Sequence, residues 1–242
     1  MARAAQYIEA MPLARLLRTL ADPPGRCAVC GAWPARPLCG GCEAHFSGER
    51  HRCGRCALPL VAGVSTCGAC LREPPPLDAC FAAVDYAYPW SGLVGRFKFQ
   101  GQPGWAGTLA ARMRGLAGVG EELRRADFVL AMPLAPRRLA ERGFNQALLL
   151  ARQLAGDKLD ARLLLRLRET GSQTALDREA RQRNVEGAFG VEPLRAQEVR
   201  GKAVVLVDDV LTSGSSLYAA ARVLRQAGAQ RVAAVVLART EL

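Results

Sequence analysis

Asp208 and Asp209 are the residues of this chain whose types and spacing point most directly to chemistry. They follow the all-apolar run Val204–Val207 and precede a small-residue loop, Thr212-Ser213-Gly214-Ser215-Ser216. The apolar run reads as a buried strand, and the stretch from Ser215 to Gln226 as a helix ended by Gly228. A hydroxyl-and-glycine loop entering a helix presents adjacent backbone N–H groups and a helix N-terminus, which together cradle a phosphate. The hydroxyls of Thr212, Ser213, Ser215 and Ser216 add donors. Two carboxylates beside such a cradle can hold sugar hydroxyls and, directly or through water, Mg2+. A plainer alternative makes the aspartates helix caps on a loop that binds nothing. The order of strand, acidic pair and hydroxyl-glycine loop favours binding. The chain has no G-x-x-x-x-G-K-[ST] run and no G-x-G-x-x-G after a strand, so neither a P-loop NTPase nor a dinucleotide fold is indicated.

A second constellation lies nearer the N-terminus. Eight of the nine cysteines form four Cys-x-x-Cys pairs, Cys27/Cys30, Cys39/Cys42, Cys53/Cys56 and Cys67/Cys70. One such turn aims two thiolates at a centre, and two turns complete the tetrahedral sulfur shell that Zn2+ prefers. Two structural zinc sites are therefore expected, filled by sequential quartets because the intervening loops are short; interleaved pairing is the other arrangement the spacing allows. A single site, an iron–sulfur cluster or a disulfide framework are the competing readings, and the last needs an oxidising compartment that no signal sequence supplies. Four cysteines per site leave no position for a catalytic water, so the metals hold structure. His45 and His51 are nearby candidates for ligand replacement, though solvated histidines fit equally, and Cys80 reads as a core residue.

Short apolar strands alternate with helices beyond the cysteines. Strands are expected over Phe81–Tyr88, Phe128–Met132, Val204–Val207 and Val232–Leu237, and helices over Trp90–Phe99, Thr108–Leu116 and Ser215–Gln226, with one long helix over Arg138–Leu154. This is an α/β pattern, a parallel sheet with helices on both faces, in which ligands bind beyond the carboxyl ends of the strands. The Pro74–Pro76 run reads as a stiff connector. The expected organisation is an N-terminal amphipathic helix over 1–25, a zinc-binding module of two four-cysteine sites over 26–73, and the α/β domain over 77–242. The chain carries 33 Lys and Arg against 22 Asp and Glu, a formal +11. Nine of those basic and seven of those acidic side chains lie in residues 1–90, which leaves +9 on residues 91–242. That excess favours nucleic acid, phosphorylated metabolites or anionic lipid as partners. No apolar run is long enough to span a bilayer. Glu9, Arg15 and Arg18 interrupt any signal peptide, so a cytoplasmic location is expected; a transit peptide or a membrane-surface anchor is the other use of such a start.

The loop at 207–216 resembles the type I phosphoribosyltransferase fingerprint, with Thr212-Ser213-Gly214 where that fingerprint often has Thr-Thr-Gly. Further stretches resemble, more narrowly, the ComF/ComFC competence family: Pro133–Arg138 leading into Arg142-Gly143-Phe144-Asn145-Gln146, Gln173-Thr174, Arg181–Asn184, Gly187-Ala188-Phe189, Phe97-Lys98-Phe99 and the cysteine pairs. The resemblance implies a fold that binds 5-phosphoribosyl-1-pyrophosphate (PRPP) with Mg2+, and a protein that handles single-stranded DNA during natural transformation beside a helicase partner. On that reading the loop 212–216 takes the 5-phosphate, Asp208 and Asp209 steady ribose and metal, and Lys98, Arg137 and Arg138 face the pyrophosphate. Arg178, Arg181 and Arg183, in the polar stretch 166–186, fit a hood over the substrate, a nucleic-acid surface or a solvated helix face. In a transfer reaction a nucleophile would displace pyrophosphate from C1 of the ribose through an oxocarbenium-like state. Three functional classes stand: a phosphoribosyltransferase, a DNA-uptake protein with an inherited nucleotide pocket, and a PRPP-sensing regulator. Trp33, Phe46, Trp90 and Trp105 are the candidates for stacking on bases, with burial as the alternative for most.

Overall fold

The computed structural model describes residues 25–48, 50–168 and 187–241. The expected amphipathic helix (1–24) and most of the arginine-rich stretch, with Arg178, Arg181 and Arg183, lie outside the described residues. Two compact units divide between Phe46 and Ser47. No unit boundary falls at Pro74–Pro76. The first cysteine quartet thus belongs to one unit, and the second belongs to the same unit as the α/β body.

In the first unit, Gly25 and Ala35 form an isolated antiparallel bridge around the Cys27–Gly31 turn, and α1 (Gly40–Phe46) follows Cys39. The second unit opens on the same plan, with an Arg52–Pro59 bridge around the Cys53–Cys56 turn and α2 (Gly68–Arg72) after Cys67.

The body is a four-stranded parallel sheet, in the order β1 (Ala79–Asp85), β6 (Arg231–Arg239), β5 (Ala203–Leu211), β2 (Phe128–Ala131). Every residue of β6 from Val232 to Arg239 is buried, so both faces of the sheet are covered there, as expected for strands that are apolar throughout. The helices between strands are α3 (Trp90–Phe99), α4 (Trp105–Arg114), α5 (Val119–Arg125), α6 (Pro136–Arg142), α7 (Gln146–Ala155) and α8 (Ser215–Gln226). Helices α4 and α7 pack on each other; α7 lies on β2 and β5, and α8 on β5 and β6. A two-stranded antiparallel ribbon, β3 (Leu164–Arg166) with β4 (Phe189–Val191), stands apart from the main sheet.

The structure corrects one helix. The long helix expected over Arg138–Leu154 is two, because Gly143 adopts φ +77° and closes α6, while Asn145 caps α7 by accepting from the Leu148 N–H at 3.2 Å. A left-handed residue cannot continue an α-helix, and glycine is the residue that takes this conformation without cost. Trp90 and Trp105 are core residues, at 3% and 8% exposure, whereas Trp33 is 61% exposed. Burial removes the first two as surfaces for bases.

Candidate functional site

Strand β2 pairs with β5 only from Phe128↔Val204 to Ala131↔Val207, whereas β5 continues beside β6 to Leu211↔Arg239. The chain leaves β2 through Met132-Pro133-Leu134, and a cleft of about 290 Å³ opens where β5 has lost that neighbour. Asp208 and Asp209 therefore lie within β5, which runs on past the expected strand Val204–Val207, just beyond the end of its pairing with β2. This is the crevice at the carboxyl ends of strands that open α/β sheets use for ligands.

Asp209 is buried, and its Oδ1 lies 2.7 Å from Lys98 Nζ on α3. The Asp209 N–H donates to Asp208 Oδ1 at 2.8 Å. Desolvation in the cleft floor, reinforced by the neighbouring Asp209 charge, pushes the Asp208 carboxyl up to about 7, against the pull of Lys98, the Asp209 N–H and Arg142. The pair thus carries less than two negative charges near neutrality unless a cation joins it.

The loop that follows is held tightly. Gly214 has φ +81°, and a Cβ there would lie 2.5 Å from two ring atoms of Tyr218. Only glycine fits both demands. Ser213 Oγ is 2.9 Å from Ser215 Oγ, and the Tyr218 N–H donates to the Gly214 carbonyl at 2.8 Å. The loop residues 212–216 all line the cleft, with their backbone at the N-terminus of the twelve-residue α8.

The opposite wall comes from the segment after β2. Asn145, besides capping α7, donates from Nδ2 to the Met132 carbonyl at 3.0 Å and so fixes the turn 132–134. Arg138 lines the cleft. Arg137 does not; it points outward and pairs with Glu141 at 2.9 Å. Arg142 stacks over the Phe99 ring at 5.1 Å and donates to Gln146 Oε1 at 3.0 Å. Gln146 is 1% exposed, borders the cleft, and has no protein acceptor for its amide nitrogen. The structure thus brings together Lys98, Arg138, Asp208, Asp209 and the loop 212–216, and adds Arg142 and Gln146. The last two belong to the Arg142–Gln146 stretch that carries the family resemblance, but that resemblance gives them no role, and their place at the cleft depends on the break at Gly143.

The cysteines form two separate quartets, Cys27/Cys30/Cys39/Cys42 and Cys53/Cys56/Cys67/Cys70, each with its four sulfurs within 4.8 Å of one another. Cys30 Sγ to Cys39 Sγ and Cys56 Sγ to Cys67 Sγ are both 3.7 Å. That matches the edge of about 3.8 Å in a tetrahedron built on Zn–S bonds of roughly 2.3 Å. Backbone N–H groups point at the sulfurs in both quartets: Cys39 N to Cys27 Sγ at 3.4 Å, and Cys67 N to Cys53 Sγ at 3.3 Å. Burial opposes ionisation of Cys53, but the N–H groups of Cys67, Arg55 and Cys56 more than offset it and bring the thiol to about 7. Both quartets fit a structural metal. The second is buried at all four positions, whereas Cys30 in the first is exposed. Cys80 is a buried thiol outside both quartets, pushed up to about 12 by burial.

The fold and the cleft define a phosphoribosyltransferase-type domain, and the Phosphoribosyl transferase domain family matches residues 139–241. The chain is 32% identical over 233 residues to DNA utilization protein YhgH of Escherichia coli O6:H1, covering 90% of this chain and 98% of that protein. It is 33% identical over 210 residues to Competence protein F of Haemophilus influenzae, covering 84% and 90%. Competence protein ComFC of Streptococcus pneumoniae is 27% identical over 211 residues, covering 84% and 87%. This chain belongs to the ComF/ComFC family of competence and DNA-utilization proteins. Among the described residues no helix is long and apolar enough to cross a membrane.

Proposed function

We propose that this protein is a cytoplasmic DNA-handling protein of the competence type, whose cleft binds PRPP with Mg2+. The carrying observation is the end of β5: two carboxylates where the β2 pairing stops, followed directly by a Gly214-dependent loop at a helix N-terminus. In this reading the loop Thr212–Ser216 holds the 5-phosphate through backbone N–H groups and hydroxyls. Asp208 and Asp209 hold the ribose hydroxyls and would hold Mg2+, which would supply charge neutralisation for the pyrophosphate. The pyrophosphate lies toward Leu134–Arg138, with Arg138 donating and Lys98 shared between Asp209 and the ligand. Arg137, paired with Glu141, has no part in it. Zinc in both cysteine quartets is structural. The DNA is single-stranded incoming DNA, drawn to the +9 of residues 91–242, and a helicase is the partner that moves it.

Calorimetric titration of PRPP with and without Mg2+ tests the cleft. Binding that needs Mg2+ and is lost in the Asp208→Asn/Asp209→Asn variant, with the thermal melt intact, supports the assignment. Unchanged affinity in that variant places the pocket elsewhere. A second reading, transfer of the phosphoribosyl group to a nucleobase or nucleotide-type acceptor, is favoured by the match of residues 139–241 to the Phosphoribosyl transferase domain family. Steady pyrophosphate release that depends on an added base selects it, while a bound but unconsumed PRPP rejects it.

A further inference from the structure

The back of the phosphate loop is tied to the second cysteine quartet. Arg239, the last residue of β6, is 3% exposed. Its Nη1 donates to the carbonyls of Leu211 (3.1 Å) and Thr212 (2.7 Å), the residues that end β5 and begin the loop. Its Nε donates to the carbonyl of Cys56 at 3.0 Å. One guanidinium therefore spans from a member of the buried quartet to the first residue of the loop. On the loop itself, the Tyr218 ring occupies the space a Gly214 Cβ would need. The quartet is itself fixed to the sheet, since the Cys80 N–H donates to the Gly54 carbonyl at 2.8 Å and Arg55 Nη1 to the Leu77 carbonyl at 2.6 Å.

Charge gives this arrangement a reason. The partners of Arg239 are neutral oxygens, namely the carbonyls of Cys56, Leu211 and Thr212 together with the carbonyl and hydroxyl of Thr240. A buried guanidinium is favoured by negative charge nearby. Asp85, in register with Arg239 on β1, is one carboxylate beside it, and four thiolates around one Zn2+ would add a net negative cluster, because ligand sulfurs bind deprotonated.

We propose that Arg239 is a positioning residue that holds the 212–216 loop in its anion-binding shape and couples that loop to the metal site of Cys53, Cys56, Cys67 and Cys70. The inference rests on the reading of 212–216 as a phosphate loop. Two consequences follow from the linkage. Loss of the guanidinium loosens the loop and weakens the ligand. Because coupling is reciprocal, a ligand on the loop also tightens the quartet. The first quartet belongs to the other compact unit and serves as an internal control.

The test compares wild type, Arg239→Met and Arg239→Lys as zinc-loaded full chains, by PRPP titration with Mg2+ and by hydrogen exchange of backbone amides. In Arg239→Met the PRPP dissociation constant should rise about tenfold, within the usual range for coupled sites. Exchange at residues 212–216 should quicken while Val204–Val207 stays protected. Arg239→Lys, which keeps the charge but not the fork of donors, should fall between the two. Saturating PRPP should slow exchange over 53–70 but not over 27–42 in wild type, and neither segment should respond in Arg239→Met. Wild-type PRPP affinity and wild-type loop exchange in Arg239→Met overturn the proposal; if that variant does not fold, the same result in Arg239→Lys overturns it. If wild type binds no PRPP, the phosphate-loop reading fails, and ligand-free exchange at 212–216 alone still judges Arg239.

Discussion

Asp208 and Asp209 are neighbours in sequence but not in electrostatic state. Asp209 is neutralised by Lys98 at 2.7 Å, while Asp208, desolvated beside that pair, is raised from an ordinary carboxylate value to about 7. A carboxyl whose folded value lies above its unfolded one stays protonated in the native state at a pH where the unfolded chain has already ionised it. Its contribution therefore favours folding at acid pH and is lost as pH rises through that window. Without ligand or Mg2+, stability should fall between roughly pH 4 and pH 7 by up to about 1.4 kcal/mol per unit, then level off. Asp208→Asn should remove that slope and make the ligand-free protein more stable than wild type at pH 8. Denaturant melts across pH 4–9 check this, and parallel curves for the two proteins would place the high carboxyl elsewhere.

At the level of elements, the turn from β5 into α8 is set by one glycine. The φ of +81° and the 2.5 Å approach to Tyr218 both exclude a side chain at Gly214. Gly214→Ala should cost about 1–3 kcal/mol from the left-handed backbone alone and weaken PRPP binding. Adding Tyr218→Ala should relieve the clash and recover part of the melting temperature, since the backbone strain remains. A single variant as stable as wild type would show that the loop can reshape. The strand, loop and helix of this turn were legible in sequence because each is local: an apolar run, a hydroxyl-glycine stretch, a helix closed near Gly228. The cysteine quartets were legible for the same reason, four short-range pairs with fixed spacing. What stayed hidden depends on partners distant in sequence. The break between α6 and α7 required Gly143 to be left-handed, where an apolar periodicity over Arg138–Leu154 suggested continuity. The Lys98–Asp209 pair joins α3 to β5, and Arg239 gave only the weak signal of a charge at the end of an apolar strand. The division at Phe46/Ser47 runs between two cysteine knuckles of the same plan, so composition offers no mark of it.

For the whole molecule, the two quartets differ in access, and that difference should be measurable. Metal analysis should find close to two zincs per chain, released to a chelator in two steps. The step from Cys27, Cys30, Cys39 and Cys42 should come first because Cys30 is exposed, and the step from the fully buried Cys53 quartet should lower the melting temperature of the body. One zinc per chain, or a single release step, contradicts this. Charge sets the remaining expectation. With +9 on residues 91–242, single-stranded DNA should bind by phosphate neutralisation, and affinity should fall with salt at a log–log slope of roughly −0.7 per phosphate contacted. A contact of about four arginines then gives a slope near −3. Replacing Arg178, Arg181 and Arg183 with Ala removes three of the positive charges of that segment. If they meet DNA, the slope should flatten by about two units and binding should weaken alike for all sequences. If they serve the pyrophosphate of PRPP instead, the triple variant should lose PRPP affinity while its DNA isotherm and salt slope keep their wild-type values. That second outcome would mean abandoning the assignment of the DNA surface to this arginine segment.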